Sequence, residues 1–226
     1  MTVPQRTTEP LAQADRSALL DVAEVAIARA LLTGTRRLPE LDELPPRLRQ
    51  PGASFVTLRR DGMLLGCIGA LEPYQAVGVD VAEHALAAAF DDPRVPPIDG
   101  DDYEQMTVEV SVLGALQELS VGSHQQLAEW LRPGKDGLLV VAPGHRATFL
   151  PSVWESVGAV DEFLAMLWRK AGLWPGEWPV GIRVFSYEVD GFGDPGPRRL
   201  LPPPDPNPDP NPDPNPDPNP DPNPTR

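Results

Sequence analysis

Phe55-Val-Thr-Leu-Arg-Arg-Asp-Gly-Met-Leu-Leu-Gly-Cys-Ile-Gly69 is the stretch that decides the fold class. Phe55 to Leu58 and Met63 to Ile68 are short apolar runs on either side of Arg60-Asp61-Gly62, and an Asp-Gly pair supplies the positive φ angles of a tight turn between antiparallel strands. A hairpin is expected there. Upstream, Asp15 to Leu32 is rich in alanine and leucine, with Leu19, Val22, Ala23, Ala26 and Ala30 on one helical face and Gly34 placed as a stop. A Pro- and Arg-rich connector, residues 36–52, joins the two. Downstream, Val77 to Phe90 carries helical spacing in Val77, Val81, Ala85 and Ala88, and ends before Asp91-Asp92-Pro93 because proline disfavours helix in the residue before it. Thr107 to Leu113 alternates instead, setting Val108, Val110 and Val112 against Glu109 and Ser111, the period of a half-buried strand.

The second half repeats this mixture. His124 to Leu131 reads as a short helix closed by Pro133-Gly134, and residues 137–142 and 146–150 as a second hairpin about Pro143-Gly144-His145. Asp161 to Ala171 is helical, with Asp161 as the N-cap and Phe163, Leu164, Leu167, Trp168 and Ala171 as the buried stripe. Ile182 to Val189 is the last expected strand. Hairpins interspersed with helices, rather than strict βαβ alternation, give an α+β fold class: mainly antiparallel sheets with packed helices.

Composition sets the boundaries of that domain. Of 226 residues, 30 are proline, and thirteen of these fall between Pro202 and Pro224, where Asp-Pro-Asn-Pro repeats with a period of four. Such a repeat fixes φ and removes a backbone donor at every second residue, so residues 195–226 are expected to form an extended, disordered, polyproline-like tail. Residues 1–14 are expected to be a flexible N-terminus, leaving 15–194 as one domain. The formal charge is −14. An acidic body of this kind disfavours nucleic-acid binding, which needs clustered Lys and Arg to displace counterions from phosphates. A single cysteine, Cys67, excludes an internal disulfide and the Cys-rich zinc classes. The first residues lack the apolar core of a secretory signal and no run approaches the ~20 apolar residues that span a bilayer, so a cytoplasmic protein without a membrane partner is expected.

Local chemistry is sparse. Gly66-Cys67-Ile68-Gly69 places a lone thiol between two glycines that permit close approach to the backbone, which makes Cys67 a candidate nucleophile. The same cysteine between Leu65 and Ile68 also reads as a small packing residue, with the glycines serving a bulge. His84, His124 and His145 are 40 and 21 residues apart, a spacing unlike any helical metal pair, and no metal site is expected. His84 reads as a surface or boundary residue, and His145, on a hairpin tip, as the histidine best placed to reach a cleft. Asp99-Gly-Asp-Asp-Tyr-Glu104 fails the calcium-loop template and reads as loop and helix-cap residues. Arg36, Arg37, Arg47, Arg49, Arg59 and Arg60 form the one basic segment, fit either for an anion or for plain solvation. No phosphate loop, nucleophile elbow or dinucleotide fingerprint occurs, and no cofactor is expected.

Four segments together resemble the AMMECR-one domain family, which includes AmmeMemoRadiSam system protein A. They are Leu65-Gly66-Cys67-Ile68-Gly69; Ala88-Ala89-Phe90-Asp91-Asp92-Pro93-Arg94-Val95-Pro96-Pro97; Val108-Glu109-Val110-Ser111-Val112-Leu113; and Arg146 through Pro151 followed by Glu162-Phe163-Leu164, Lys170-Ala171-Gly172-Leu173 and Trp178. The resemblance covers roughly residues 15 to 190. It implies two unequal subdomains around a cleft, and a genomic association with Memo-like and radical S-adenosylmethionine proteins. Cys67, Arg94, Glu109, Ser111 and Arg146 are the polar residues that match its motifs. Leu65 stands where the family usually has Arg, Val95 where it has Phe, and Trp168 at a position often filled by Cys, which weakens a thiol-based activity for this chain.

Two functions follow as expectations. The first is a ligand- or partner-binding subunit acting beside Memo-like and radical S-adenosylmethionine proteins, with Arg94, Ser111, Arg146 and His145 as binding residues. The second is an enzyme using Cys67 as nucleophile on a small anionic substrate, with Glu109 or His145 as base and Arg94 or Arg146 holding the anion.

Overall fold

The computed structural model describes residues 10–200. In chain order its elements are α1 (Gln13–Thr33), β1 (Pro51–Gly52), β2 (Ser54–Arg60), β3 (Met63–Gly69), β4 (Gln75–Ala76), α2 (Val77–Phe90), α3 (Gly100–Gln105) and β5 (Thr107–Leu113). There follow β6 (Gln117–Glu118), α4 (His124–Trp130), β7 (Gly137–Ala142), β8 (His145–Phe149), α5 (Val160–Lys170), β9 (Arg183–Tyr187) and β10 (Val189–Asp194). All strand pairs are antiparallel, in sheets ordered β10-β5-β2-β3 and β6-β9-β7-β8 with a small β1-β4 pair. The expected α+β class is the class observed.

The first lobe is built on β2, which pairs with β3 on one side and β5 on the other. Asp61 (φ 50°) and Gly62 (φ 79°) close the β2-β3 turn, as the Asp-Gly pair requires. One face of this sheet carries Val56, Leu58, Val108 and Val110, all fully buried against Leu19 and Ile27 of α1 and Val81, Ala85 and Ala88 of α2. At about 25 cal/mol per Å² of apolar surface, such side chains each contribute roughly 1.5–3 kcal/mol. Packing is tightest at Gly66, where a Cβ would stand 1.9 Å from the Ala88 carbonyl oxygen. Only glycine lets α2 lie that close to β3. Between α2 and β2 sits a buried polar group: Ser54 Oγ donates to Asp80 Oδ2 at 2.6 Å, and His84 Nδ1 is 3.2 Å from the same oxygen. His84, expected at the surface or its boundary, is buried with them.

The second lobe packs Phe163, Leu164, Leu167 and Trp168 of α5 against Leu138 and Val140 of β7 and Leu127 of α4. Trp154 stacks on Phe163 at a centroid distance of 3.9 Å and donates its indole N–H to Asp136 O. The lobes meet through Ala53, Leu113, Leu139 and Tyr187, with Phe55, Leu150 and Val189 packed around them. The chain passes to the second lobe after β5 and returns at Glu188, between β9 and β10.

Several expectations shift at this level of detail. The single strand expected over 182–189 is two strands in different sheets, broken at Glu188. The N-cap of α5 is Ala159, with Asp161 in the first turn, where its carboxylate still faces the helix N-terminus favourably. The acidic run near residue 100 caps α3: Asp99 accepts from the Asp102 N–H, and Asp102 reaches back to the Asp99 N–H. Residues 10–14, assigned to a flexible N-terminus, include the start of α1, and the Leu11 N–H donates to Asp190 Oδ2 at 2.7 Å. Residues 195–200, assigned to the tail, lie on the first lobe, with Arg198 paired to Glu24 at 3.1 Å and Leu200 against the core. The Asp-Pro-Asn-Pro repeat lies outside the described residues.

Candidate functional site

With Val56, Leu58, Val108 and Val110 facing the helices, alternation turns the intervening residues of β2 and β5 to the opposite, helix-free face. Register then defines two rows across that face. Gly69, Phe55, Ser111 and Gly191 form one, and Cys67, Thr57, Glu109 and Gly193 the next. Neighbouring rows are about 7 Å apart along the strands. In the first, the Phe55 ring occupies the space over Gly69, where a Cβ would lie 2.3 Å from it. In the second, Thr57 Oγ1 donates to Cys67 Sγ at 3.2 Å. Glu109 turns toward Arg59, whose Nε is 3.9 Å from Oε1. Cys67 and Glu109 flank Thr57 on opposite sides, two strand spacings or about 10 Å apart at the backbone.

Cys67 is held from behind by a residue that its own sequence neighbourhood does not suggest. Its backbone N–H donates to Asp92 Oδ2 at 2.9 Å, and Arg94 Nη2 donates to its carbonyl oxygen at 2.8 Å. Arg94 also grips Asp92 directly, Nε to Oδ1 at 2.9 Å and Nη2 to Oδ2 at 2.6 Å. The Asp92 side chain is fully buried while the Arg94 side chain is 57% exposed. Hydrogen bonds from Arg94, then the Cys67 N–H, hold the Asp92 carboxyl well below the usual carboxylate range, and the same contact raises Arg94. The Arg94 guanidinium, expected to hold an anion, is therefore engaged with Asp92 and the Cys67 backbone.

At the lobe junction a cleft of about 620 Å³ opens over the first of the two rows. Ser111 and Gly191 form its floor, while Leu150, Trp154, Val157 and Val160 of the second lobe form its walls. Gly191 has nothing within 4 Å of a Cβ position, so its lack of a side chain leaves the floor open. A second depression, sharing Gly134, Pro151 and Val189 with the cleft, is lined by Arg132, Lys135 and Glu188. Arg132 is committed to Asp136 at 2.6 Å and to Glu188 at 2.5 Å, which anchors the return of the chain to the first lobe. One row outward from the cleft floor lie Cys67, Thr57 and Glu109.

The structure thus brings Cys67 and Arg94 together, places Glu109 in the row of Cys67, and sets Ser111 in the cleft. Arg146 and His145 lie elsewhere, on β8. Arg146 Nη2 is 2.6 Å from Glu72 Oε1, an exposed ion pair across the two lobes. His145 is the first residue of its strand, with Nδ1 on the Ala171 carbonyl oxygen at 2.8 Å. Within the basic segment, Arg36, Arg37 and Arg60 are paired with Asp91, Glu43 and Asp102. Asp92, Thr57 and Gly191 were not read as site residues from sequence. The only local signal for Asp92 was its place two residues before Arg94. Among the described residues, no group of three or more His, Cys, Asp or Glu side chains could hold a metal ion, and no helix is long and apolar enough to cross a membrane.

Fold and site together define a two-lobed antiparallel α+β domain with a cleft at the lobe junction and a thiol on the open sheet face beside it. The chain belongs to the AMMECR1 family, which matches residues 20–192. It is 35% identical over 189 residues to a protein of Methanothermobacter thermautotrophicus, covering 83% of this chain and 98% of that one. It is 32% identical over 184 residues to a protein of Thermoplasma volcanium, covering 77% and 90% respectively. The crystal structure of an uncharacterized protein from Pyrococcus horikoshii shares the fold with a TM-score of 0.75 and 29% identity, covering 84% of this chain and 96% of that one.

Proposed function

We propose that this domain is a binding subunit whose cleft takes a ligand, or a segment of a partner protein, with an apolar body and a few hydrogen-bonding groups. The observation that supports this reading is the cleft: its volume of about 620 Å³ lies within the ~300–1,000 Å³ usual for such sites. Its walls are mainly apolar, and Ser111 on the floor and Ser152 in the wall supply hydroxyls. The resemblance to AmmeMemoRadiSam system protein A suggests the partners, a Memo-like and a radical S-adenosylmethionine protein, and the single free cysteine fits a cytoplasmic setting. A pull-down from a genome encoding both is expected to recover them with the wild-type chain. Gly191→Leu, which fills open space on the cleft floor, is expected to lose them with its melting temperature unchanged. Recovery of neither by the wild type, or undiminished recovery by Gly191→Leu, would count against the reading.

A second reading rests on Cys67, a half-buried thiol one row from the cleft, as nucleophile toward a small anionic substrate. Geometry limits it. A general base must lie within hydrogen-bond reach of the proton it takes. Glu109 is across Thr57, and Arg94 is spent on Asp92. Iodoacetamide kinetics separate the two readings: the binding reading expects Cys67 to react at pH 7 no faster than a free thiol, and severalfold acceleration would favour the enzyme.

A further inference from the structure

The face of α1 turned away from the core has a symmetric charge pattern. Leu19, Ala23, Ala26 and Ala30 are buried. At ~100° per residue, Asp21, Val25, Arg29 and Leu32 fall within an arc of about 80° on the opposite side. Val25 is 56% exposed and Leu32 37%. Asp21 and Arg29 stand four residues on either side of Val25, and Ala18 and Leu32 seven on either side. Beside this stripe the connector after α1 forms the wall of a groove of about 320 Å³, lined by Val22, Val25 and Ala26 of the helix and by Leu38, Pro39 and Leu44 opposite. The groove's other charges, Arg37 and Glu43, satisfy each other at 3.0 Å. Among the described residues neither Asp21 nor Arg29 has an opposite charge within 4 Å, although Arg29 lies near enough to Glu43 to favour its ionised form.

We propose that this stripe is a self-association surface, on which a second copy of the chain lays its own α1 antiparallel about Val25 and sets Asp21 of each copy against Arg29 of the other. A two-fold axis through Val25 brings position 25 − n of one helix opposite 25 + n of the other, the self-complementarity that a symmetric dimer demands. Both charges then meet opposite charges. Ala18 of one copy lies level with Leu32 of the other and the two Val25 side chains meet at the axis, so the remaining pairs on the stripe are apolar. A parallel pairing would set Asp21 against Asp21 and Arg29 against Arg29, so the same charges that favour one orientation reject the other. The second copy is the occupant favoured by this pattern because an unrelated apolar partner would have no reason to match charges at equal distances from one valine.

Sedimentation velocity of the full chain over about 1–100 μM tests the proposal, with Asp21→Arg and Arg29→Glu as exposed single variants. The wild type is expected to dimerise with concentration. Each variant alone places like charges at both pairs, and is expected to weaken the dimer by at least about tenfold. In an equimolar mixture of the two variants, the arginine introduced in one copy meets the glutamate introduced in the other, and the native Arg29 of the first meets the native Asp21 of the second. The mixture is therefore expected to dimerise as a heterodimer. A variant that had merely misfolded would not be rescued by mixing. A wild type that stays monomeric throughout, a dimer indifferent to both substitutions, or a mixture that stays monomeric would each overturn it.

Discussion

Asp92 holds Cys67 by its backbone: Oδ2 accepts the Cys67 N–H at 2.9 Å from 25 residues away, while Arg94 donates Nη2 to the same oxygen and Nε to Oδ1 on the other side of the carboxylate. The contact fixes β3 against the end of α2 and so fixes where the thiol row lies. Asp92→Asn keeps the shape but loses the charge, and Asp92→Ala leaves the Cys67 N–H and the Arg94 fork without an acceptor. Because Arg94 is largely exposed, solvent screens part of that pairing, and the alanine variant is expected to cost about 2 kcal/mol by urea titration. The pH dependence follows from the depressed carboxyl. Its stabilisation is complete above the unfolded value of about 3.9 and fades as pH falls below it toward the lower folded value. Asp92→Asn should therefore flatten the acid limb of the stability curve below about pH 4; a limb unchanged by the substitution would show that the carboxylate is not held as the structure has it.

Gly66 tests the packing that carries the same strand. A Cβ there would meet the Ala88 carbonyl oxygen at 1.9 Å, and a main-chain atom cannot turn aside as a flexible side chain does. Gly66→Ala is expected to cost about 2–4 kcal/mol, measured by chemical denaturation. Adding Ala88→Gly should not restore the loss, since the clash is with the backbone rather than the methyl group. A loss below about 0.5 kcal/mol would mean that α2 rides further from the sheet.

How much of this was legible in sequence depended on whether the cause was local. The Asp61-Gly62 turn, the alanine-rich α2 and the valine alternation of β5 are set by residues close in the chain, and each appears where its pattern placed it. β10 was not legible: Asp190-Gly-Phe-Gly-Asp194 has glycine where a strand would show its period, and its extended form comes from pairing with β5 along its whole length. His145 was placed at a turn tip because Pro143-Gly144-His145 reads as one loop, whereas two residues suffice to close the hairpin. His84 looked like a boundary residue beside Glu83, and its burial is owed to Ser54 and Asp80, the first of them 30 residues away. The Cys67 to Asp92 contact is of the same kind. No period or propensity reports a hydrogen bond between a strand and the loop after a distant helix, so the candidate thiol was visible while its support was not.

Tyr187 gives the lobe junction a test of its own. Its ring is buried between the lobes, and its hydroxyl lies 2.6 Å from Thr148 Oγ1 and donates to the Phe149 carbonyl oxygen at 3.1 Å. Burial, partly offset by the Thr148 contact, pushes the phenol up to about 12. An acid whose folded value is raised keeps its proton in the native state after the unfolded chain has begun to lose it at about pH 10, so the junction loses stability as pH climbs from about 10 toward 12. Tyr187→Phe removes both the ionisation and the hydrogen bonds. It is expected to cost about 1 kcal/mol at neutral pH and to decline less steeply than the wild type above pH 10, followed by urea titration across that range. Parallel alkaline slopes for the two proteins would mean that solvent reaches the phenol, and that the lobes are less tightly joined at Tyr187 than the packing of Ala53, Leu113 and Leu139 around it implies.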